Sequence, residues 1–165
     1  MKKRSRKKLG KKGFTLAEIM IVVAIIGLLA AIAIPNLLRA RVNSNDGAIQ
    51  GDLRAFSTAA ESFRAAQAVP AYPQLGTDLS GASPAYIDTT WNGVEAGTGI
   101  SKHGHDILLV PAAAPAQTYS LVATARANEA DRDFCVDQTG VLVTSALGAQ
   151  TGDGTGCTNG TPVGG

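Results

Sequence analysis

Lys11-Lys12-Gly13-Phe14-Thr15-Leu16-Ala17-Glu18-Ile19-Met20-Ile21-Val22-Val23-Ala24-Ile25-Ile26-Gly27-Leu28-Leu29-Ala30-Ala31-Ile32-Ala33-Ile34-Pro35 is the stretch that decides the fold. A basic head ends at Gly13, and an apolar run follows with a single charge in it, Glu18. Ile19–Ile34 alone is slightly short for a bilayer. Adding Phe14–Ala17 brings it to the roughly 20 residues a spanning helix needs, and Glu18 is then included. A carboxylate at that depth is costly unless something pairs with it. The sequence therefore predicts a segment that lies first in lipid and later against a partner bringing a positive charge to Glu18. Removing one member of such a buried pair costs about 3–5 kcal/mol. The plainer reading is a single-span anchor that tolerates its glutamate.

Working outward, the charge of the 165 residues is segregated. Lys2, Lys3, Arg4, Arg6, Lys7, Lys8, Lys11 and Lys12 are eight of the fifteen basic residues, and no acid precedes Glu18. From Phe14 onward seven basic side chains face thirteen acidic ones, a net of −6. The overall +2 thus does not describe a basic, nucleic-acid-binding surface. A basic flank beside an apolar run puts residues 1–13 in the cytoplasm and the bulk of the chain outside. No Ala-x-Ala cleavage site with a polar mature start follows the run, so it is not an ordinary secretory signal.

Cys135 and Cys157 are the two cysteines. Their spacing fits no zinc pattern. In an exported bulk they read most simply as one disulfide, worth about 3 kcal/mol by chain entropy; two unrelated buried thiols are the alternative. His103 and His105, read on one strand, point to opposite faces and have no third ligand. Asp153-Gly154-Thr155-Gly156 lacks the alternating acids of a calcium loop. No metal, no cofactor and no catalytic residue is expected, because no nucleophile motif, phosphate loop or paired-carboxylate site occurs.

Past Pro35 the helical pattern continues. Leu38, Val42, Ile49, Leu53, Phe56, Ala60 and Phe63 fall at helical spacings and make one apolar stripe. Pro70 and Pro73 forbid continuation, which predicts one helix over 14–67, roughly 80 Å long. Gly27 and Pro35 are its weak points, and Pro35 should kink it. Ala71–Gly104, rich in Pro, Gly, Ser, Thr and Asp, reads as a long connection. Trp91 within it reads as packing that connection onto the head, with a surface adhesion contact as the alternative. Four strands are predicted: Asp106–Pro111, Thr118–Thr124, Arg132–Asp137 and Val141–Thr144. Asp137-Gln138-Thr139-Gly140 is the turn of a closing hairpin. The economical α+β architecture lays one antiparallel sheet on the apolar stripe.

The stretch Lys11–Pro35 resembles the N-terminus of type IV pilins and pseudopilins, with Ala17 where isoleucine or valine is more usual. Tyr119–Ala123 and Phe134–Val141 are similar to the closing hairpin of many bacterial pilins. The resemblance implies the pilin fold, with a basic leader (1–13), a long helix (14–67, of which 14–35 is the membrane and filament-core part) and a globular head (68–165). It implies cleavage between Gly13 and Phe14 by a prepilin peptidase and N-methylation of the Phe14 amine. It also implies that Glu18 pairs with the Phe14 amine of a neighbouring subunit. Helicity between Gly27 and Pro35 is expected to be lost on packing into a filament, and Cys135–Cys157 to pin the tail to the sheet.

The function so implied is structural: a homo-oligomeric helical filament handled by inner-membrane pilus assembly machinery. The prepilin would sit in the bacterial inner membrane with a periplasmic head, and the mature chain in an extracellular filament. Adhesion, twitching motility and DNA uptake are the family's roles. The alternative is a pseudopilin of a type II secretion system. The cysteine pair, in a tail without calcium-ligating acids, favours the pilin. An electron-conducting filament is disfavoured, since the first aromatic after Phe14 is Phe56.

Overall fold

The computed structural model describes residues 13–164 except 96, 98 and 151; the basic residues Lys2–Lys12 of the expected leader lie outside these. Contacts divide the chain between Leu38 and Arg39. One helix, α1 (Leu16–Ala66, 51 residues), runs through that division, where 14–67 was expected. Its start moves to Leu16 because Thr15 caps it.

Up to Leu38, α1 is apolar all round. Every large hydrophobic side chain from Phe14 to Leu38 is exposed, Leu16 at 78% and Leu37 at 70%. The segment is long and apolar enough to cross a membrane. α1 stays helical through Gly27 and Pro35, although proline has no N–H to give the Ala31 carbonyl.

From Arg39 onward the apolar stripe finds a partner. Ile49, Leu53, Phe56 and Ala60 are fully buried against a sheet. That sheet has six strands rather than four: β1 (Ile100–Lys102), β2 (His105–Pro111), β3 (Tyr119–Ala125), β4 (Arg132–Asp137), β5 (Leu142–Ala146) and β6 (Thr161–Pro162). They are antiparallel neighbours in chain order. The four expected strands are β2 to β5, shifted by one or two residues at most ends. β1 and β6 are too short to carry a period, and β6 contains a proline, which is admissible at a sheet edge.

Alternation assigns the two faces of the sheet. Ile107, Leu109, Tyr119, Leu121, Ala123, Phe134 and Val136 form the core with α1. Of the opposite positions, Ser120 and Val122 on β3 and Asp133 and Cys135 on β4 are also buried, and the chain after β5 packs over this side. There Thr118 Oγ1–H donates to the Gly154 carbonyl at 2.8 Å, and Gly154 N–H donates to Ser120 Oγ at 3.2 Å. Gly154 has φ +82°, and a Cβ on it would meet the Pro111 carbonyl oxygen at 2.8 Å. Glycine is the residue that fits such a position.

The long connection is more ordered than its composition suggests. It holds a short helix α2 (Gly76–Ser80) and a 3₁₀ turn, Thr89–Trp91. Tyr72, Leu79, Trp91 and Val94 enter the core. Trp91, 2% exposed, is a packing residue.

Candidate functional site

Phe14 and Thr15 end the extended approach to α1, and Thr15 occupies the position before its first turn. Thr15 N–H and Thr15 Oγ1–H each donate to Glu18 Oε2 at 2.8 Å, and Glu18 N–H donates back to Thr15 Oγ1 at 3.2 Å. This is a capping box: a threonine and a glutamate three residues on satisfy each other's backbone donors. The helix dipole adds a further attraction for the acid in the first turn. The arrangement was legible as Thr15-x-x-Glu18 ahead of an apolar run. Reading Glu18 only as a buried charge in need of a cation overlooked it. The glutamate thus has neutral donors from its own first turn before any second chain approaches.

Gly13 has open space around its Cα, and Phe14 is 84% exposed. The peptide bond between them is accessible to another macromolecule. Gly27 is likewise unobstructed on the helix surface. The site therefore combines an accessible Gly13–Phe14 bond, a capped acid and an uncovered apolar helix. A contiguous apolar surface of this size marks a membrane or assembly contact.

Residues 8–34 match the family model of the prokaryotic N-terminal methylation motif. A segment of the chain is 54% identical over 52 residues to the type IV major pilin protein PilA of Myxococcus xanthus. Another is 66% identical over 35 residues to the type IV wide pilus major component PilA4 of Thermus thermophilus. A third similarity, 52% over 52 residues, is to a fimbrial protein of Pseudomonas aeruginosa. By this segment the chain is similar to type IV pilins. These stretches are 32%, 21% and 32% of this chain and 24%, 27% and 34% of those relatives' own lengths. These three matches thus leave about two thirds or more of the chain to be described by its own structure. No solved structure matches the chain significantly.

In the head, Cys135 on β4 and Cys157 in the tail form a disulfide, with Cα atoms 5.9 Å apart. The bond lies on the tail-covered side of the sheet, where Cys157 N–H also donates to Asp137 Oδ2 at 3.1 Å.

The histidines are not arranged as expected. His103 is in the β1–β2 turn with φ +48°, not on a strand, and its Nε2 is 3.4 Å from Asp52 Oδ2. His105 is on β2, fully buried, 3.7 Å from Asp46 Oδ1. Among the described residues no group of three or more His, Cys, Asp or Glu could hold a metal ion. Asp153 Oδ1 accepts from Thr155 Oγ1–H and Thr155 N–H at 2.6 and 2.9 Å. Those two bonds, the hydroxyl's first, hold the Asp153 carboxyl below the usual carboxylate range. Its Oδ1 is engaged locally.

Proposed function

We propose that this chain is a prepilin, the structural subunit of a type IV pilus-like surface filament. The leader 1–13 is cut after Gly13 by a prepilin peptidase, the new Phe14 amine is methylated, and the apolar helix polymerises. The observation that carries this reading is the unpartnered apolar surface of α1 that flanks a capped acid. Covering a large aliphatic or aromatic side chain contributes about 1.5–3 kcal/mol. A run of such residues can drive association once the chain leaves lipid. A freed Phe14 amine would add a cation beside Thr15 and Glu18. Pairing with the Glu18 of a neighbouring subunit would then fix the axial register, and Gly27 and Pro35 are where helicity would yield on packing. Before assembly the chain is anchored in the inner membrane, with its head on the periplasmic side. Afterwards it is extracellular.

The pseudopilin reading is the weaker one. The tail is closed by Cys135–Cys157, and Asp153 is committed to Thr155. The decisive experiment compares surface filaments from cells expressing wild type and Glu18→Ala, by electron microscopy and by intact mass. Expected are a wild-type subunit lacking residues 1–13 and carrying one N-terminal methyl group, and filaments depleted of the alanine variant. Wild-type levels of filament-borne Glu18→Ala, or an uncut subunit, would overturn the proposal.

A further inference from the structure

The span counted from sequence, Phe14–Ile34, puts Glu18 inside the hydrocarbon of a bilayer. α1 offers a second placement, because it stays helical past Pro35. Leu37 and Leu38 follow on the same helix, 70% and 56% exposed. Ile19–Leu38 is a stretch of twenty residues without a charge, and Asn36 is its one polar side chain. At about 1.5 Å per residue it is about 30 Å long, the thickness of a hydrocarbon core. Charges fall just outside both ends: Glu18 precedes the stretch, and Arg39 and Arg41 follow it. The two arginines are exposed, and among the described residues neither takes part in an ion pair.

We propose that, before assembly, α1 stands in the membrane with Ile19–Leu38 in the hydrocarbon, and that Arg39 and Arg41 bind the phosphodiester groups of lipids in the periplasmic leaflet. This rests on the reading of α1 as a membrane anchor and names what holds its depth. Moving α1 one turn towards the cytoplasm would drag Arg39 into hydrocarbon, and moving it one turn outward would drag in Glu18. Each is costly. An arginine at this level lays its aliphatic stem along the acyl chains and keeps its guanidinium among the headgroups. The planar guanidinium meets two phosphate oxygens with two parallel N–H donors. Residues 39 and 41 lie about 200° apart around the helix axis, so they grip different lipids on opposite sides. No carboxylate competes for them nearby in sequence, since the next acid after Glu18 is Asp46, about two turns past Arg39. The eight basic residues of Lys2–Lys12 outnumber the pair, so the orientation of the span is unchanged.

The placement alters the setting of the acid. Glu18 sits at the cytoplasmic headgroup level, with Thr15 as its donor, and is not submerged. Its need for a second chain's cation then arises only when the helix leaves the membrane.

The test uses the full chain in phospholipid bilayers in a phosphate-free buffer, so that lipid is the only source of phosphorus. Arginine is labelled with ¹³C at Cζ, and carbon–phosphorus dephasing is measured by solid-state NMR. The chain has eight arginines, and wild type should dephase two more of them than Arg39→Gln/Arg41→Gln, a loss of a quarter of the eight. Equal dephasing in the two overturns the proposal and leaves these guanidiniums to an acidic side chain of a second copy. A second readout needs no variant. With a nitroxide at the acyl-chain ends of the lipids, the loss of amide signal should be greatest at Leu28 and Leu29, the middle of Ile19–Leu38. A maximum at Ala24, the middle of Phe14–Ile34, overturns the proposal. No such loss anywhere along α1 would overturn the anchor reading itself, and this inference with it.

Discussion

Phe56 sits where α1 meets both the sheet and the long connection. Its ring centroid is 5.0 Å from that of Trp91 and 6.3 Å from that of Tyr119. Tyr119 in turn lies 4.9 Å from Tyr72. Phe56→Ala removes a fully buried ring among rigid neighbours that cannot collapse into the space. The expected cost is about 3–5 kcal/mol, read as a lowered urea midpoint of the full chain in detergent. Burial pushes the Tyr119 phenol up to about 12. Burial and then the Glu61 carboxylate do the same for Tyr72, also to about 12. An acid whose folded pKa is raised is ionised more easily in the unfolded chain. Stability should therefore drop as pH rises from about 10, the ordinary phenol value, towards 12. In an absorbance titration, two of the three tyrosines should resist ionisation until the head opens. A titration with all three phenols ionising together near pH 10 would contradict this. Phe56 was legible on its helical stripe. Its contacts were not, because Trp91 and Tyr72 lie in a stretch whose composition has no period.

At the scale of elements, α1 is a single helix with two environments. Its first part is apolar all round, and its later part has one apolar stripe with charges elsewhere. Thr15→Ala removes the hydroxyl that closes the capping box. A lost cap costs about 1 kcal/mol, so amide exchange at Glu18 and Ile19 should quicken about five-fold, with later turns unaffected. Unchanged exchange there would mean that the cap does not hold the first turn. Among the strands, β2 to β5 were readable because each runs five to seven residues, β2 as an apolar run, β3 and β4 by alternation and β5 by its β-branched residues. β1 and β6, of three and two residues, exist only because longer neighbours offer them hydrogen bonds. Local pattern cannot reveal a strand whose stability belongs to its partner. The same holds for α2. Gly76 there passes so close to Trp91 that a Cβ would lie 2.0 Å from its carbonyl oxygen. Gly76→Ala should therefore destabilise the head, although the same change in an exposed helix favours folding.

At the scale of the whole molecule, the chain segregates its chemistry along its length: basic residues first, then an apolar segment, then an acidic head. The head is a small domain whose sheet is covered by α1 on one face and in part by its own tail on the other. Cys135–Cys157 joins that tail to β4 across a separation of 22 residues. Cys135→Ser should cost about 3 kcal/mol, measured by urea unfolding against the oxidised wild type. The tail should stay partly ordered, because Thr118, Ser120, Gln138 and Asp137 still hydrogen-bond to it. The sequence by itself determined the N-terminal motif, the long helix, the antiparallel strands and the absence of a recognisable catalytic pattern. Each of those rests on residue type at short spacing, where periodicity and charge act locally. Only the tertiary structure decided what lies across a gap in the chain. His105 meets Asp46 and the Arg132 carbonyl, Trp91 meets Phe56, and the tail covers part of the back of the sheet. Such contacts depend on how elements stack, and stacking is set by the shape of the packed core rather than by any local pattern.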